Sequence, residues 1–99
     1  MGFIDPYRQQ LSELCDLHRV DRMYMFGSAS RGQMTDESDV DLLVRFKPFD
    51  VALYFENYMA LKSKLGQLLG REVDLLEEQT LSNPYLIRSI ERDKHLIYG

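Results

Sequence analysis

Apolar and polar positions change period several times along the chain, and each change marks an element. Leu11, Leu14, Cys15 and His18 recur at helical spacing behind Asp5-Pro6, an acid to cap and a proline for the first turn, so a helix is predicted over 6–19. Met23-Tyr24-Met25-Phe26 and Val40-Asp41-Leu42-Leu43-Val44 are short apolar runs that read as strands, over 22–26 and 39–46. Lys47-Pro48 stops the second strand. Asp50 then caps a long helix that turns Val51, Tyr54, Phe55, Tyr58, Met59, Leu61, Leu65 and Leu68 inward, and Gly70 closes it. A strand follows over 71–77, with Glu77 and Glu78 opening a solvated loop. Asn83-Pro84 starts a last helix to about Arg92, with Leu86, Ile87 and Ile90 inward, and His95–Tyr98 forms a short final strand or tail. This order predicts an α/β (α+β) fold, a small mixed β-sheet flanked by helices.

At 99 residues the chain suits one small domain over 1–99, with one core. No apolar run approaches membrane-spanning length and no export signal is evident, so neither a membrane nor secretion is expected. Cys15 has no second cysteine to pair with, which suits the cytoplasm, and it reads as a packed helix residue. His18 and His95 lack metal-ligand spacing and read as structural. A net charge of −4 argues against direct, non-specific nucleic-acid binding. The Lys62/Lys64 and Arg88/Arg92 pairs are minor basic spots on helices.

Chemistry concentrates between the first two strands. Gly27-Ser28 follows the first apolar run, and Asp39-Val40-Asp41 opens the second. Side chains two apart in a strand share a face, so Asp39 and Asp41 project side by side, and crowded carboxylates repel unless a cation or proton lies between them. A hard divalent metal with oxygen ligands fits. Gly27 permits a sharp turn and a close ligand approach, and Ser28 is predicted to cap a short helix to about Gly32 whose N–H groups face phosphate. Together these predict a site for a nucleoside triphosphate with Mg²⁺; it is neither a P-loop nor a dinucleotide fingerprint. Arg31 either contacts phosphate or pairs with an acid that fixes the loop. Arg45 and Lys47 lie at the far end of the second strand and read as solvated.

Gly27-Ser28-Ala29-Ser30-Arg31-Gly32, followed by Ser38-Asp39-Val40-Asp41-Leu42-Leu43-Val44, resembles the minimal nucleotidyltransferase (MNT) domain of the DNA polymerase β-like superfamily. The likeness runs from about Met23 to Tyr98, and Ser30 stands where the family more often has alanine. The resemblance implies the nucleotidyltransferase fold and a third acid on a neighbouring strand. Asp74 is the candidate, Glu72 on the same face is a weaker one, and an ordinary exposed strand face is the alternative. It also implies two Mg²⁺ ions on Asp39, Asp41 and Asp74, and nucleotide contacts from Gly27, Ser28 and Arg31. Attack would fall on the α-phosphorus of ATP, with pyrophosphate leaving.

Members of this length are commonly antitoxins paired with a HEPN-domain ribonuclease toxin, to which they bind and can transfer AMP at a tyrosine. The resemblance therefore implies a Mg-dependent protein adenylyltransferase in a hetero-oligomer with its toxin. The alternatives are a module that blocks the toxin by occlusion alone, or an aminoglycoside-type small-molecule nucleotidyltransferase. The aromatics Phe46, Phe49, Tyr54, Phe55 and Tyr58 read mostly as core, with a fraction available to a partner.

Overall fold

A computed structural model describes residues 3–28, 30–32, 35 and 38–99. Among these, helices α1 (Arg8–Leu17), α2 (Tyr54–Leu69) and α3 (Pro84–Asp93) and strands β1 (Val20–Phe26), β2 (Val40–Phe46), β3 (Val73–Glu77) and β4 (His95–Tyr98) form an α/β fold. The described strands make a mixed sheet in the order β3-β2-β1-β4. β1 runs antiparallel to both β2 and β4. β2 and β3 are parallel, which requires a long crossover, and α2 supplies it.

Alternation along β2 decides which side of the sheet carries what. Val40, Leu42, Val44 and Phe46 are buried with Met23 and Met25 of β1 against Leu11 and Cys15 of α1 and Leu61 and Leu65 of α2. Full burial of each such aliphatic side chain contributes about 1.5–3 kcal/mol. The other face carries Asp41, Leu43 and Arg45, and here Phe26 and Leu43 pack against Ile90 of α3. The acids thus share a face with a smaller apolar cluster, at the sheet end where β1 finishes and β2 and β3 begin.

The three longer predicted helices and the four predicted strands are present, with shifted edges. Asp5 does not cap α1: it lies in a 3-10 turn, Asp5–Tyr7, and its carboxylate accepts from Arg8 Nε at 3.1 Å. Asp50 caps a 3-10 turn, Val51–Leu53, by accepting from the Ala52 N–H at 3.0 Å, before α2 begins. Asn83 caps α3, with the Tyr85 N–H at 3.0 Å from its Oδ1. Gly70 ends α2 in the left-handed region, φ 65°. Cys15 is buried, as expected, and desolvation pushes its thiol up to about 12. His18 is buried with Nδ1 2.9 Å from the Leu14 carbonyl.

Three expectations about burial are corrected. Val51, Phe55 and Met59 face outward, Val51 and Phe55 at 87% and 69% exposure. Val51 precedes α2, and Phe55 and Met59 lie one helical step round from the Tyr54–Tyr58 stripe that packs on the core. Glu77 does not open a loop: it is the last residue of β3, paired with Val44, and only 6% exposed. Leu86, expected inward, is 38% exposed, whereas Ile90 is buried.

Candidate active site

Gly27 takes φ +72°, in the left-handed region that side chains disfavour, directly after the last residue of β1. Its carbonyl gathers the chain that follows, accepting from the Ser30 N–H at 3.2 Å, the Arg31 N–H at 3.3 Å and the Ser30 hydroxyl at 2.9 Å. The segment Ser28–Gly32 is therefore a tight turn in its described residues, not the short helix predicted from Ser28. The turn lies against the acids: a Cβ on Gly27 would overlap Asp41 Oδ2 and stand 3.2 Å from Asp41 Cγ.

Strand pairing brings the carboxylates together. Asp41 is the register partner of Phe26 on one side and of Asp74 on the other, so Asp41 and Asp74 project from the same face of adjacent strands. Asp39 precedes β2 by one residue and Asp41 by two. Asp39 and Asp74 are exposed and Asp41 is half-buried. Desolvation raises the Asp41 carboxyl above the usual carboxylate range. The charges of Asp74 and then Asp39 raise it further, and Arg31 pulls the other way. Glu72, the weaker candidate, is exposed just before β3, where its carbonyl accepts the Val40 N–H at 2.9 Å.

The donor set suits a hard divalent cation: oxygen ligands, mutual repulsion, and no side chain at Gly27 to fill the space beside Asp41. Among the described residues, no three His, Cys, Asp or Glu side chains already form a ligand cage. Mg²⁺ does not ask for one, since it is ordinarily held by one or two carboxylates with substrate phosphates and water. Asp39, Asp41 and Asp74 therefore fit the group.

Arg31 pairs with an acid: its Nη1 lies 2.6 Å from Asp93 Oδ2, at the end of α3. Arg45 stands at the far end of β2, 3.9 Å from both Asp21 and Glu78. Two supporting residues stand outside the sequence motifs. Asp93 is one. Arg71 is the other; its Nη1 donates to the Thr35 carbonyl at 2.6 Å and the Ser38 carbonyl at 3.0 Å, tying the approach to Asp39 to the start of β3. Neither had a local signal, because both act across more than thirty residues of chain. The polar loop read between β1 and β2 lies partly outside the described residues. A surface hollow of about 600 Å³ opens between α2 and the start of β3, beside Lys62 and Arg71, and none of the three aspartates lines it.

A family model described as a nucleotidyltransferase domain matches residues 7–97. A candidate protein adenylyltransferase of Methanocaldococcus jannaschii is 38% identical over 91 residues, which is 92% of this chain and 88% of that protein. A solved candidate minimal nucleotidyltransferase superimposes with a TM-score of 0.77 at 33% identity, over 96% of this chain and 95% of that one. A chain from a variant MntA–HpeT toxin–antitoxin complex does so with a TM-score of 0.67 at 26% identity, over 92% and 71%.

Proposed function

The chain belongs to the nucleotidyltransferase domain family, and from that premise we propose that it transfers AMP from ATP to a tyrosine hydroxyl of a HEPN-type toxin, as the antitoxin of the pair. The observation that carries this reading is the pairing of Asp41 with Asp74 across β2 and β3, beside the Gly27 turn. A relative that bears the name of a candidate protein adenylyltransferase and a structural neighbour drawn from a toxin–antitoxin complex support the choice of a protein acceptor.

Two Mg²⁺ ions, held by Asp39, Asp41 and Asp74, would supply positive charge to the phosphates and the reacting oxygens. The chain's own groups do the rest. Gly27 and Ser28 receive the outer phosphates at the turn, where no side chain at Gly27 blocks the approach. Arg31 adds a fixed positive charge on the same turn. Asp74 orients the acceptor hydroxyl and takes up its proton as the oxygen bonds to the α-phosphorus. The bond from that phosphorus to the bridging oxygen breaks, and pyrophosphate leaves with the electron pair.

The test is a labelling reaction on the chain purified with whatever protein accompanies it from its host. With Mg²⁺, label from α-labelled ATP should reach the partner and label from γ-labelled ATP should not. Asp39→Asn/Asp41→Asn should abolish it. A stably bound partner that acquires no label would overturn transfer in favour of occlusion.

A further inference from the structure

We propose that Asp93 is a positioning residue for Arg31, holding its guanidinium ready for the phosphates of ATP. This rests on the reading of the Gly27 turn as the nucleotide site. Asp93 and Arg31 are 62 positions apart, yet Arg31 Nη1 and Asp93 Oδ2 meet at 2.6 Å, a short charge-assisted contact. The Asp93 side chain is 13% exposed and the Arg31 side chain 46%, so the acid is the sheltered member of the pair and the arginine the more accessible one.

Position adds a second argument. Asp93 is the final residue of α3, where an acid opposes the helix dipole and a basic residue is the favoured choice. Arg92 Nε stands 3.9 Å from Asp93 Oδ1, but on a side chain that is 76% exposed, so the close contact to Arg31 dominates. The geometry of α3 supports the same assignment. Ile90 packs into the cluster with Phe26 and Leu43, and Lys94 bonds back to the Ile90 carbonyl at 2.8 Å. Asp93 is thus anchored to the face that carries Asp41.

Arg31 belongs to the same turn, since its N–H bonds the Gly27 carbonyl. Its charge also reaches the acids, where it opposes the upward shift of Asp41. A guanidinium is a planar, rigid fork, so a carboxylate bonded to one of its nitrogens fixes the orientation of the whole group. An arginine ordered beforehand gives up less side-chain freedom when a phosphate arrives. Ordering one such side chain is worth about two- to tenfold in affinity.

The experiment measures the ATP dissociation constant by calorimetry on the full chain with Mg²⁺, alongside its thermal midpoint. Asp93→Asn should weaken ATP binding about two- to tenfold with little change in midpoint, and Asp93→Glu should restore part of it. Adding Asp93→Asn to Arg31→Met should cost nothing further, because the acid acts only through the arginine. Where transfer is followed, Asp93→Asn should raise KM for ATP and leave kcat within about twofold. An unchanged dissociation constant in Asp93→Asn, or additive losses in the double variant, overturns the proposal alone. A wild-type chain that binds no ATP overturns it together with the nucleotide-site reading. A chain that binds ATP normally but labels no protein overturns only the proposed acceptor, and Asp93 is still judged by its effect on binding.

Discussion

Asp41 and Asp74 are register partners on neighbouring parallel strands, and the charge of Asp74 adds to desolvation in raising the Asp41 carboxyl. Such crowding works against the folded chain when no cation is present, so under the proposed function a loss of activity should coincide with a gain in stability. Asp74→Asn should lower AMP transfer about 10³-fold, the equivalent of several kcal/mol of charge stabilisation. Measured without divalent cations, the same variant should be more stable by about 0.2–1 kcal/mol. Loss of both activity and stability in denaturant titration would mean that the pair is structural.

Gly27→Ala tests the turn that abuts the acids. At φ +72° a side chain costs about 1–2 kcal/mol, and the new methyl would also collide with the Asp41 carboxylate. Stability should fall by at least that amount, and transfer should fall further than stability explains, because Asp41 is the group displaced. Gly70→Ala is the comparison: it has φ 65° and nothing within 4 Å of its added Cβ. It should show the conformational cost while retaining transfer.

The parts of this fold and of the candidate site that are legible in the sequence are those encoded by local spacing. Asp39 and Asp41 are two apart, Gly27 adjoins an apolar run, and the caps at Asn83 and Gly70 sit at element ends. Asp74 follows in the sequence from a family likeness, and strand pairing sets it opposite Asp41. What was not legible depends on chain segments meeting from a distance. Asp93 reaches Arg31, and Arg71 reaches Thr35 and Ser38, through folds that no local period records. The outward stripe of α2 failed for another reason: Phe55 and Met59 are as apolar as Tyr54 and Tyr58, so periodicity alone did not say which stripe meets the sheet. Residue type points Glu77 to solvent, whereas its spacing from Val73 and Leu75 puts it on the buried face.

Phe55 therefore carries little of the fold. Phe55→Ser should shift unfolding free energy by no more than about 0.5 kcal/mol, whereas Leu61→Ala, at a fully buried site on the same helix, should cost about 2–5 kcal/mol. Chemical denaturation of the two variants separates inner from outer stripe. A large loss from Phe55→Ser would reverse the assignment.

Cys15 offers a clean report on opening of the core. It has no exposed surface, and its thiol is pushed up to about 12 by desolvation. The thiolate is the reactive form. At pH 8 the native chain should react with iodoacetamide at least about 10³-fold more slowly than the chain in denaturant, since only about one folded thiol in 10⁴ is ionised. Comparable rates in the two states would show that α1 opens freely.

Glu77 links stability to pH at the opposite end of the sheet from the aspartates. Its Oε1 is buried without a hydrogen-bond partner among the described residues. Desolvation raises its carboxyl above the ordinary value, and the backbone N–H groups of Gln79 and Thr80 offset only part of that; Glu78 adds to the rise and Arg45 opposes it. The folded chain consequently keeps this proton to higher pH than the unfolded chain does. Its contribution is intact below the unfolded-state pKa and is lost as pH rises through the folded-state value. Glu77→Gln removes the titration while keeping the shape. The stability of the variant relative to wild type should be flat below the usual carboxylate range, then improve as pH climbs toward neutrality. Denaturant titrations of both chains from pH 4 to 8 read this directly, and a relative stability that worsens with pH would mean that ionised Glu77 is well partnered in the folded chain.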